Sequence, residues 1–468
     1  MYKVNELITF WANLKPTNIA FADETHEITF RDLDVLTRKI SFKLKEHGLK
    51  RGEIVGIILP GHLAWLFSLS LFRLGITTMT QNNLSDFSPE LIPDWVLTLE
   101  PHSGKDADHT IIINDEYLGI INASKELGTF EGFADENDIA TFYSTSGTNG
   151  EKKFQSLTAS FMWTEALRLH ASNGLAEDGA FILMAFGAPW TSLHVATCLI
   201  MGKTYYNCMF TDERLQKFVS KYPIRTIMGS PAQISTFLDV QKQTSTKLPL
   251  LKTIIMGGSP PNDQLISRLK SQLDCKILNV YGSTEAGLVS VSELGVDEPE
   301  GAWINVPIDL QIVDDNDNPL PAMSVGHVRY RRSDMTMSYY KNPTATAEFF
   351  KNGYFYPGDL GFIDQAGRLL IKGRSNDVIN LGGVKVNPER IEAIAITQLG
   401  VRDCAAFSRL SASGIEELCL ALVVNADFNQ ASFEIAMAAK YSNPIRHILL
   451  VPSIPRNENG KIQRNLLA

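Results

Sequence analysis

The sequence predicts an α/β protein with a large N-terminal domain of parallel α/β sheets, a β-rich subdomain and a small α+β C-terminal domain. Before residue 310, short apolar strands that end in Gly, Ser or Pro alternate with amphipathic stretches, which is typical of parallel sheets. Beyond it, strands joined by turns indicate antiparallel pairing. Because 468 residues exceed what one core usually serves, we expect two domains, 1–372 and 373–468.

The individual elements follow from local patterns. Residues 30–49 are predicted to form a helix because Leu33, Leu36, Ile40 and Leu44 fall on one face, and Gly48 supplies the stop. An apolar helix is expected from about residue 63. Strands are expected at 54–60, 225–228, 253–256, 276–280, 310–315 and 326–330, and a hairpin over 361–371 that turns at 365–367.

Composition excludes several classes of protein. The formal net charge of −9 argues against a nucleic-acid binder, which needs a basic face to neutralise phosphates. Five cysteines without a C-x-x-C pair argue against a disulfide framework or a zinc site and favour a reducing compartment, so we expect the cytoplasm. The start of the chain lacks the layout of a signal peptide. The longest apolar run, Leu63 to Phe72, is too short to span a membrane.

Two segments carry residues suited to polyphosphate and metal. Residues 143–153 read Tyr-Ser-Thr-Ser-Gly-Thr-Asn-Gly-Glu-Lys-Lys, where glycines admit backbone N–H groups and a lysine neutralises charge. Residues 279–285 read Asn-Val-Tyr-Gly-Ser-Thr-Glu, where an aromatic ring suits a flat base and a carboxylate suits Mg²⁺. Taken alone, the first also fits a surface turn, and the second fits a strand-to-helix turn whose polar residues cap a helix.

Three further segments are weaker when each is considered alone. Asp359, in Tyr-Pro-Gly-Asp-Leu-Gly at 356–361, suits two ribose hydroxyls but also fits ordinary turn chemistry. Residues 373–385 are rich in small residues, as hinges and linkers both are. Residues 454–461 end in Lys461, and a lysine near a C-terminus is usually solvated.

Together and in this order, the five segments resemble those of the adenylate-forming superfamily, which contains acyl-CoA synthetases, peptide-synthetase adenylation domains and firefly luciferase. The resemblance runs from Ile28 to Lys461, nearly the whole chain. It implies that the N-terminal domain binds ATP and the acid and that the small C-terminal domain is mobile. It also implies that ATP is held by Thr145, Ser146, Gly147, Thr148, Lys153, Gly257, Gly258, Ser259, Asn279, Tyr281, Gly282, Asp359 and Arg374.

The resemblance also implies which residues act in catalysis. Lys461 would bridge the substrate carboxylate and the α-phosphate, Thr284 would contact the α-phosphate, and Glu285 would hold Mg²⁺. Asn376 would be the hinge, and Gly382 and Gly383 would line the channel for the thiol. The chain departs from the family pattern at Asn149, Lys152, Phe154, Pro357 and Asn376.

The chemistry implied is activation of a carboxylic acid by ATP and Mg²⁺, followed by transfer of the acyl group to a thiol. Attack of the carboxylate on the α-phosphorus forms an acyl-AMP and releases pyrophosphate. Positioning and charge neutralisation dominate such a step. The thiol of coenzyme A then attacks the acyl carbon. A carrier protein's phosphopantetheine arm would use the same channel, so an acyl-AMP ligase loading a carrier protein stays open, as does an inactive nucleotide-binding relative.

The acid pocket is expected near Phe186, Gly187, Trp190, Met228 and Met256. Amino-acid-activating relatives carry an Asp after the Phe of this segment, whereas this chain carries Gly187. Amino acids are therefore disfavoured. The aromatic and Met side chains fit an apolar cavity for an aryl or medium-length acyl acid, and they equally fit an ordinary core.

Overall fold

The structure is a computed structural model of the 468-residue chain. It describes residues 4–81, 87, 90–101, 109–125, 127–146, 152–173, 179–184, 186–208, 212–295, 301–304, 308–375, 379–381, 384–386, 388–410, 416–441, 445–456 and 462–467.

The helices are α1 Val4–Leu14, α2 Phe30–Glu46, α3 Gly61–Leu74, α4 Asp115–Ala123, α5 Ala159–Asn173, α6 Pro189–Ile200, α7 Asp212–Lys221, α8 Pro231–Gln243, α9 Asp263–Gln272, α10 Pro343–Phe349, α11 Pro388–Ala395 and α12 Gln430–Lys440. The strands are β1 Ile19–Ala22, β2 Glu27–Thr29, β3 Ile54–Ile58, β4 Thr77–Thr80, β5 Trp95–Thr98, β6 Thr110–Ile112, β7 Ile139–Ser146, β8 Lys152–Thr158, β9 Ala180–Ile182, β10 Tyr205–Tyr206, β11 Thr226–Gly229, β12 Thr253–Gly257, β13 Lys276–Ser283, β14 Gly287–Glu293, β15 Ala302–Ile304, β16 Asp309–Val313, β17 Gly326–Arg331, β18 Phe350–Lys351, β19 Tyr354–Phe355, β20 Asp359–Ile363, β21 Arg368–Arg374, β22 Ile379–Leu381, β23 Val384–Val386, β24 Val401–Leu410, β25 Glu416–Val424 and β26 His447–Leu450.

The predicted helix at 30–49 is confirmed as α2, and its ends have local causes. Thr29 accepts a hydrogen bond from the Asp32 N–H, and Asp32 reaches back to the Thr29 N–H, which forms a capping box. The helix ends at Glu46, and Gly48 then takes a φ of 99°, a conformation that glycine adopts at little cost. Its buried side chains include Leu33, Ile40 and Leu44.

Two sheets build the N-terminal part of the chain. The smaller has the order β6-β5-β3-β4-β7-β8 and is parallel except for the hairpin β7–β8. The larger contains a parallel half, β1-β10-β9-β11-β12-β13, and an antiparallel half that begins at β14. The mixed α/β fold class is therefore confirmed, and so is the hairpin β20–β21. The change to antiparallel strands, predicted near residue 310, comes earlier, at β14.

The C-terminal strands form sheets of their own. β22 pairs with β23, and β24-β25-β26 form a three-stranded sheet. The buried side chains here, from Ile379 onward, pack into two clusters, one around Ile391 and Leu420 and the other around Phe407 and Cys419. The N-terminal core is likewise divided, into a main cluster, a second cluster that includes residues of α7, α8 and α9, and a small third cluster around Met79 and Phe142.

Candidate active site

The segment predicted to bind phosphates lies at the tip of the hairpin β7–β8. Thr145 pairs with Lys153 across this hairpin, so both stand at the base of the loop 147–151. Thr145 Oγ1 lies 3.5 Å from the Lys153 carbonyl oxygen. The backbone of Ser146 ends β7. Gly147 and Thr148, in the loop itself, lie outside the described residues.

Lys153 and Glu285, predicted to neutralise phosphate and to hold Mg²⁺, contact the same aromatic side chain. The Lys153 Nζ atom lies 5.3 Å from the Tyr339 ring centroid and 3.4 Å from that of Phe349. The Tyr339 hydroxyl donates to Glu285 Oε1 at 2.6 Å. Burial and the charge of Glu285 raise the pKa of Tyr339, so the hydroxyl remains a donor. No motif in the sequence identifies Tyr339 or Phe349, because aromatic residues beside or within a short helix are usually core.

A second group joins three predicted residues, Tyr281, Asp359 and Arg374. Asp359 begins β20 and pairs with Arg374 of β21, whose Nε lies 3.2 Å from Asp359 Oδ1. The Tyr281 hydroxyl donates to Asp359 Oδ2 at 2.5 Å. Burial, and then the Asp359 charge, raise the pKa of Tyr281 well above its ordinary value. The carboxylate is thus held from two sides and is only 5% exposed.

Residues 284–286 turn between two strands, so the helix-capping interpretation of this segment is wrong. β13 and β14 pair antiparallel, and Ser283 Oγ accepts from the Ala286 N–H at 3.2 Å inside the turn. A side chain on Gly282 would collide with the Gly287 carbonyl oxygen. Thr284 is half-buried in the turn, and Glu285 is 5% exposed. The tight turn therefore fixes Glu285 relative to Tyr281.

A buried charge network holds the backbone that follows Glu285. Arg332 Nη1 donates to Glu165 Oε2 at 2.6 Å and to the Ala286 carbonyl oxygen at 2.5 Å. Glu165 Oε1 accepts from the Leu288 N–H at 2.6 Å. Two more residues complete the network. Arg168 Nη1 lies 3.1 Å from Glu165 Oε2, and Asp334 forms ion pairs with Arg168 and with Arg332. The side chains of Glu165 and Arg332 are 0% exposed, and no motif in the sequence identified them.

The segment predicted as the wall of the adenine slot ends β12. A Cβ on Gly257 would lie 2.7 Å from Val280 Cγ2 and 3.3 Å from Trp190. Gly258 is exposed and Ser259 is half-buried. The Asn279 Oδ1 atom is buried and receives no hydrogen bond from the residues that the structure describes. This acceptor fits a ligand that carries an N–H donor.

The residues predicted for the acid pocket are only partly brought together. Phe186 is 8% exposed, Gly187 is half-buried, and Trp190, in the first turn of α6, packs against Gly257. Met228 and Met256 are fully buried, and they belong to different core clusters. Met228 pairs with Ile255 in the sheet, so Met256, the next residue, points to the opposite face.

Four other predicted residues, Asn376, Gly382, Gly383 and Lys461, lie outside the described residues, so their roles stay predictions. Among the described residues, every helix is too short or too polar to span a membrane.

The two sheets meet at a polar site. It contains the Asp359 carboxylate, the buried Glu285, and Lys153 near the tip of the hairpin β7–β8. These features define the class as an α/β nucleotide-binding enzyme. The chain belongs to the AMP-binding enzyme family, which matches residues 94–340.

Known relatives are similar over most of the chain. It is 23% identical over 480 residues to the 2-succinylbenzoate–CoA ligase of Listeria monocytogenes serotype 4b (strain F2365), covering 97% of both proteins. It is 27% identical over 348 residues to the medium-chain fatty-acid–CoA ligase of Escherichia coli (strain K12), an alignment that spans 71% of this chain and 61% of that relative.

Solved structures share the fold at low sequence identity. The o-succinylbenzoate CoA synthetase from Bacillus subtilis, in complex with its acyl-adenylate intermediate, has a TM-score of 0.84 at 19% identity and covers 98% of this chain and 97% of its own. The anthranilate CoA ligase AuaEII, in complex with anthranoyl-AMP, has a TM-score of 0.87 at 18% identity, with 100% and 96% covered.

Proposed function

We propose that this protein is an ATP-dependent acid–thiol ligase that adenylates a carboxylic acid and passes the acyl group to coenzyme A, releasing pyrophosphate and AMP. The observation that carries the proposal is the placement of the bonded pair Tyr281 and Asp359 in one site with Glu285, which contacts the same Tyr339 side chain as Lys153 does. The names of the relatives, which are CoA ligases, support the same reaction class.

The ribose and the adenine would bind at Asp359 and Asn279. Tyr281 and Arg374 hold the Asp359 carboxylate from two sides. A carboxylate accepts about four hydrogen bonds, so a group of this kind suits the two vicinal hydroxyls of ribose. The unsatisfied Asn279 Oδ1 atom suits the exocyclic amine of adenine, and the exposed Gly258 lets a flat base approach the backbone.

Glu285 fits a Mg²⁺ ion. It is a buried carboxylate, and none of the described residues donates a hydrogen bond to its second oxygen. An oxygen ligand of this kind suits Mg²⁺, which would neutralise phosphate charge when bound. Tyr339 holds the first oxygen and thereby fixes the direction in which the second one points.

In the adenylation step, the protein mainly positions two anions that repel each other. The substrate carboxylate attacks the α-phosphorus, the bond to the β-phosphate oxygen breaks, and pyrophosphate leaves with its electron pair. Lys153 would neutralise the leaving phosphates, and Thr284 would donate to the α-phosphate. Lys461 would bridge the carboxylate and the α-phosphate oxygens, a charge clamp whose removal costs about a hundredfold or more.

For the second step we propose that the chain has two domains, 1–372 and 373–468, and that the small one rotates at Asn376. The separate core clusters beyond residue 379 support this division. Rotation would withdraw Lys461 and bring Gly382 and Gly383 to the site, where the thiol attacks the acyl carbon and AMP leaves.

The acid is proposed to be an aryl or medium-length acyl acid, in line with the succinylbenzoate and medium-chain fatty acids named for the relatives. The test is AMP release from ATP and Mg²⁺ over aryl, short, medium and long acids, each with and without coenzyme A. Release that needs both an acid and coenzyme A supports the proposal. Acid-dependent pyrophosphate exchange without any effect of coenzyme A would point instead to a carrier protein.

A matched pair of variants links the activity to the site. Glu285→Gln keeps the shape of the side chain but removes its charge, so we expect AMP release to fall by about a hundredfold or more. Glu293→Gln is the control, because Glu293 ends β14, the strand that follows the Glu285 turn, in an exposed pair with Lys276. Equal activity of both variants would contradict the role of Glu285.

A further inference from the structure

Three side chains that can bind a metal ion come together where the two N-terminal sheets are adjacent. Asp23 and His26 lie in the turn between β1 and β2, at one edge of the larger sheet. His62 lies in the first turn of α3, the helix that follows β3 of the smaller sheet. One ligand atom from each side chain lies within 4.8 Å of the other two, and no other group of three such residues among those that the structure describes is as close.

The Asp23 carboxylate approaches both imidazoles at distances that suit a shared ion. Its Oδ2 atom is 3.1 Å from His26 Nδ1 and 3.7 Å from His62 Nδ1. Zinc binds imidazole nitrogen and carboxylate oxygen at about 2.0–2.2 Å, so two ligands of a tetrahedral ion stand about 3.4 Å apart. The two imidazoles reach that separation if the exposed His26 side chain shifts by about 1.5 Å or less.

The turn between β1 and β2 fixes the carboxylate before any ion binds. Asp23 Oδ1 accepts from the Thr25 N–H at 2.8 Å and from the His26 N–H at 2.6 Å. These bonds hold the carboxylate through Oδ1, and Oδ2 is the oxygen that His62 approaches. The ligand set is therefore partly organised in advance, which lowers the entropic cost of binding an ion.

His62 is the member of the group whose position a hydrogen bond does not explain. Its side chain is only 25% exposed, yet none of the described residues forms a hydrogen bond with its ring. The ring instead stacks on that of His26, with centroids 4.6 Å apart and planes inclined by 25°. Burial, and next the charge of His26, lower the pKa of His62, so its imidazole is neutral and offers a nitrogen lone pair.

The chemistry of this ligand set selects among metal ions. Two imidazole nitrogens with one carboxylate oxygen suit Zn²⁺, and catalytic zinc sites commonly have three protein ligands and a water molecule. Mg²⁺ and Ca²⁺ prefer oxygen ligands throughout. The cysteine pattern argues against a thiolate zinc site, whereas this group would hold the ion with nitrogen and oxygen alone.

The neighbouring polar side chains point to water as the fourth ligand. The next carboxylate along the chain, that of Glu24, pairs with Arg214 Nη1 at 3.0 Å and accepts from Cys208 Sγ at 3.5 Å. Burial and then the charge of Glu24 raise the pKa of the Cys208 thiol to about 12, so it is not a thiolate. Glu24 and Cys208 are thus bonded to each other, which favours an open fourth position on the ion.

We propose that Asp23, His26 and His62 bind one Zn²⁺ ion and that this ion links the β1–β2 turn to the start of α3. None of the three residues is among those proposed to bind ATP, the acid or the thiol. The zinc site is therefore independent of the proposed ligase function.

The test is zinc binding by the full chain after a chelator has removed bound metal, followed by isothermal titration calorimetry. His62→Gln and Asp23→Asn each remove one ligand, and Asn keeps an oxygen that can accept the bonds of the turn. His327→Gln is the matched control, because His327 forms a similar pair with the exposed Asp315, at 3.0 Å, and belongs to no group of three among the described residues. Thermal unfolding without zinc verifies that each variant folds.

We expect the wild type and His327→Gln to bind one zinc ion per chain. His62→Gln and Asp23→Asn should bind it about a hundredfold more weakly or worse, since loss of even an outer partner of a metal ligand costs about 10–100-fold. Zinc should raise the melting temperature of the first two proteins and not of the ligand variants. Co²⁺ should give the visible absorption of a tetrahedral site without a thiolate charge-transfer band, and excess Mg²⁺ should not displace it.

Two results would overturn the zinc site. The first is wild-type protein that binds no zinc, or ligand variants that both bind it as tightly as the wild type does. The second is a thiolate charge-transfer band with Co²⁺, which would assign the ion to a cysteine. Neither result bears on AMP release, so the zinc site and the ligase activity are tested separately.

Discussion

Removing Arg332 should destabilise the protein more than removing its neighbour Arg331. In Arg332→Met, the buried charge of Glu165 and the Ala286 carbonyl oxygen each lose a donor. Removing one partner of a buried ion pair typically costs about 3–5 kcal/mol. We expect the lower end, about 3 kcal/mol, because Arg168 and the Leu288 N–H still bind Glu165.

The corresponding change in melting temperature follows from the size of the unit that unfolds. The unfolding entropy is about 2.1 cal/mol/K per residue, so a loss of ~3 kcal/mol from a unit of roughly 370 residues lowers the melting temperature by about 4 °C. Arg331→Met is the matched control, since Arg331 is 51% exposed and pairs with Asp309, which is 41% exposed. An exposed pair contributes less than about 1 kcal/mol, or roughly 1 °C.

The sign of the pH effect provides a second check. Burial raises the pKa of Glu165, and Arg332 opposes that rise. Without Arg332 the folded protein binds the Glu165 proton more tightly, so stability is lost as pH rises above the unfolded-state pKa of this glutamate. The loss of stability in Arg332→Met should therefore be larger at pH 8 than at pH 5. Scanning calorimetry at one fixed scan rate measures this difference. Equal melting shifts for Arg331→Met and Arg332→Met, or a deficit independent of pH, would refute the reasoning.

The remaining predictions concern catalysis and acid stability. Lys461→Ala should lower acyl-AMP formation about a hundredfold or more yet spare thioester formation from supplied acyl-AMP, and equal loss of both half-reactions would contradict domain rotation. Asp359→Ala should raise the KM for ATP about tenfold, as expected when hydrogen bonds to a charged group are lost, and an unchanged KM would remove Asp359 from the site. Burial lowers the pKa of His194 to about 4, so the unfolded chain binds a proton that the folded protein does not between that value and the ordinary 6.5. The free energy of unfolding should fall as pH decreases across that window, by up to about 1.4 kcal/mol per pH unit. Melting curves of His194→Gln should lack this part of the pH dependence, and identical pH profiles for the variant and the wild type would contradict the prediction.

Local patterns predicted the parts of the fold that local physics determines. The stripe of Leu33, Ile40 and Leu44 specified α2, and alternating strands and helices specified a parallel sheet. The residues proposed to bind the nucleotide could be selected from the sequence because each sits in a short motif at one end of a strand. Tyr281 and Asp359 are 78 residues apart in sequence, yet they share one hydrogen bond. The resemblance to a family, and not the spacing alone, connected them.

The charge network could not be predicted, because its members are ordinary charged residues when viewed one at a time. Glu165 lies in the amphipathic helix α5, and Arg332 stands 167 residues away beside a second arginine that is exposed. Which of two adjacent arginines is buried depends on the direction of each side chain at the end of β17, and no periodicity in the sequence encodes that burial. The network occupies the position where a side chain on Gly287 would otherwise stand, since a Cβ there would collide with the Glu165 carboxylate. Packing therefore requires a glycine at position 287, and the contacts that hold the Glu285 segment come from outside the motif that contains it.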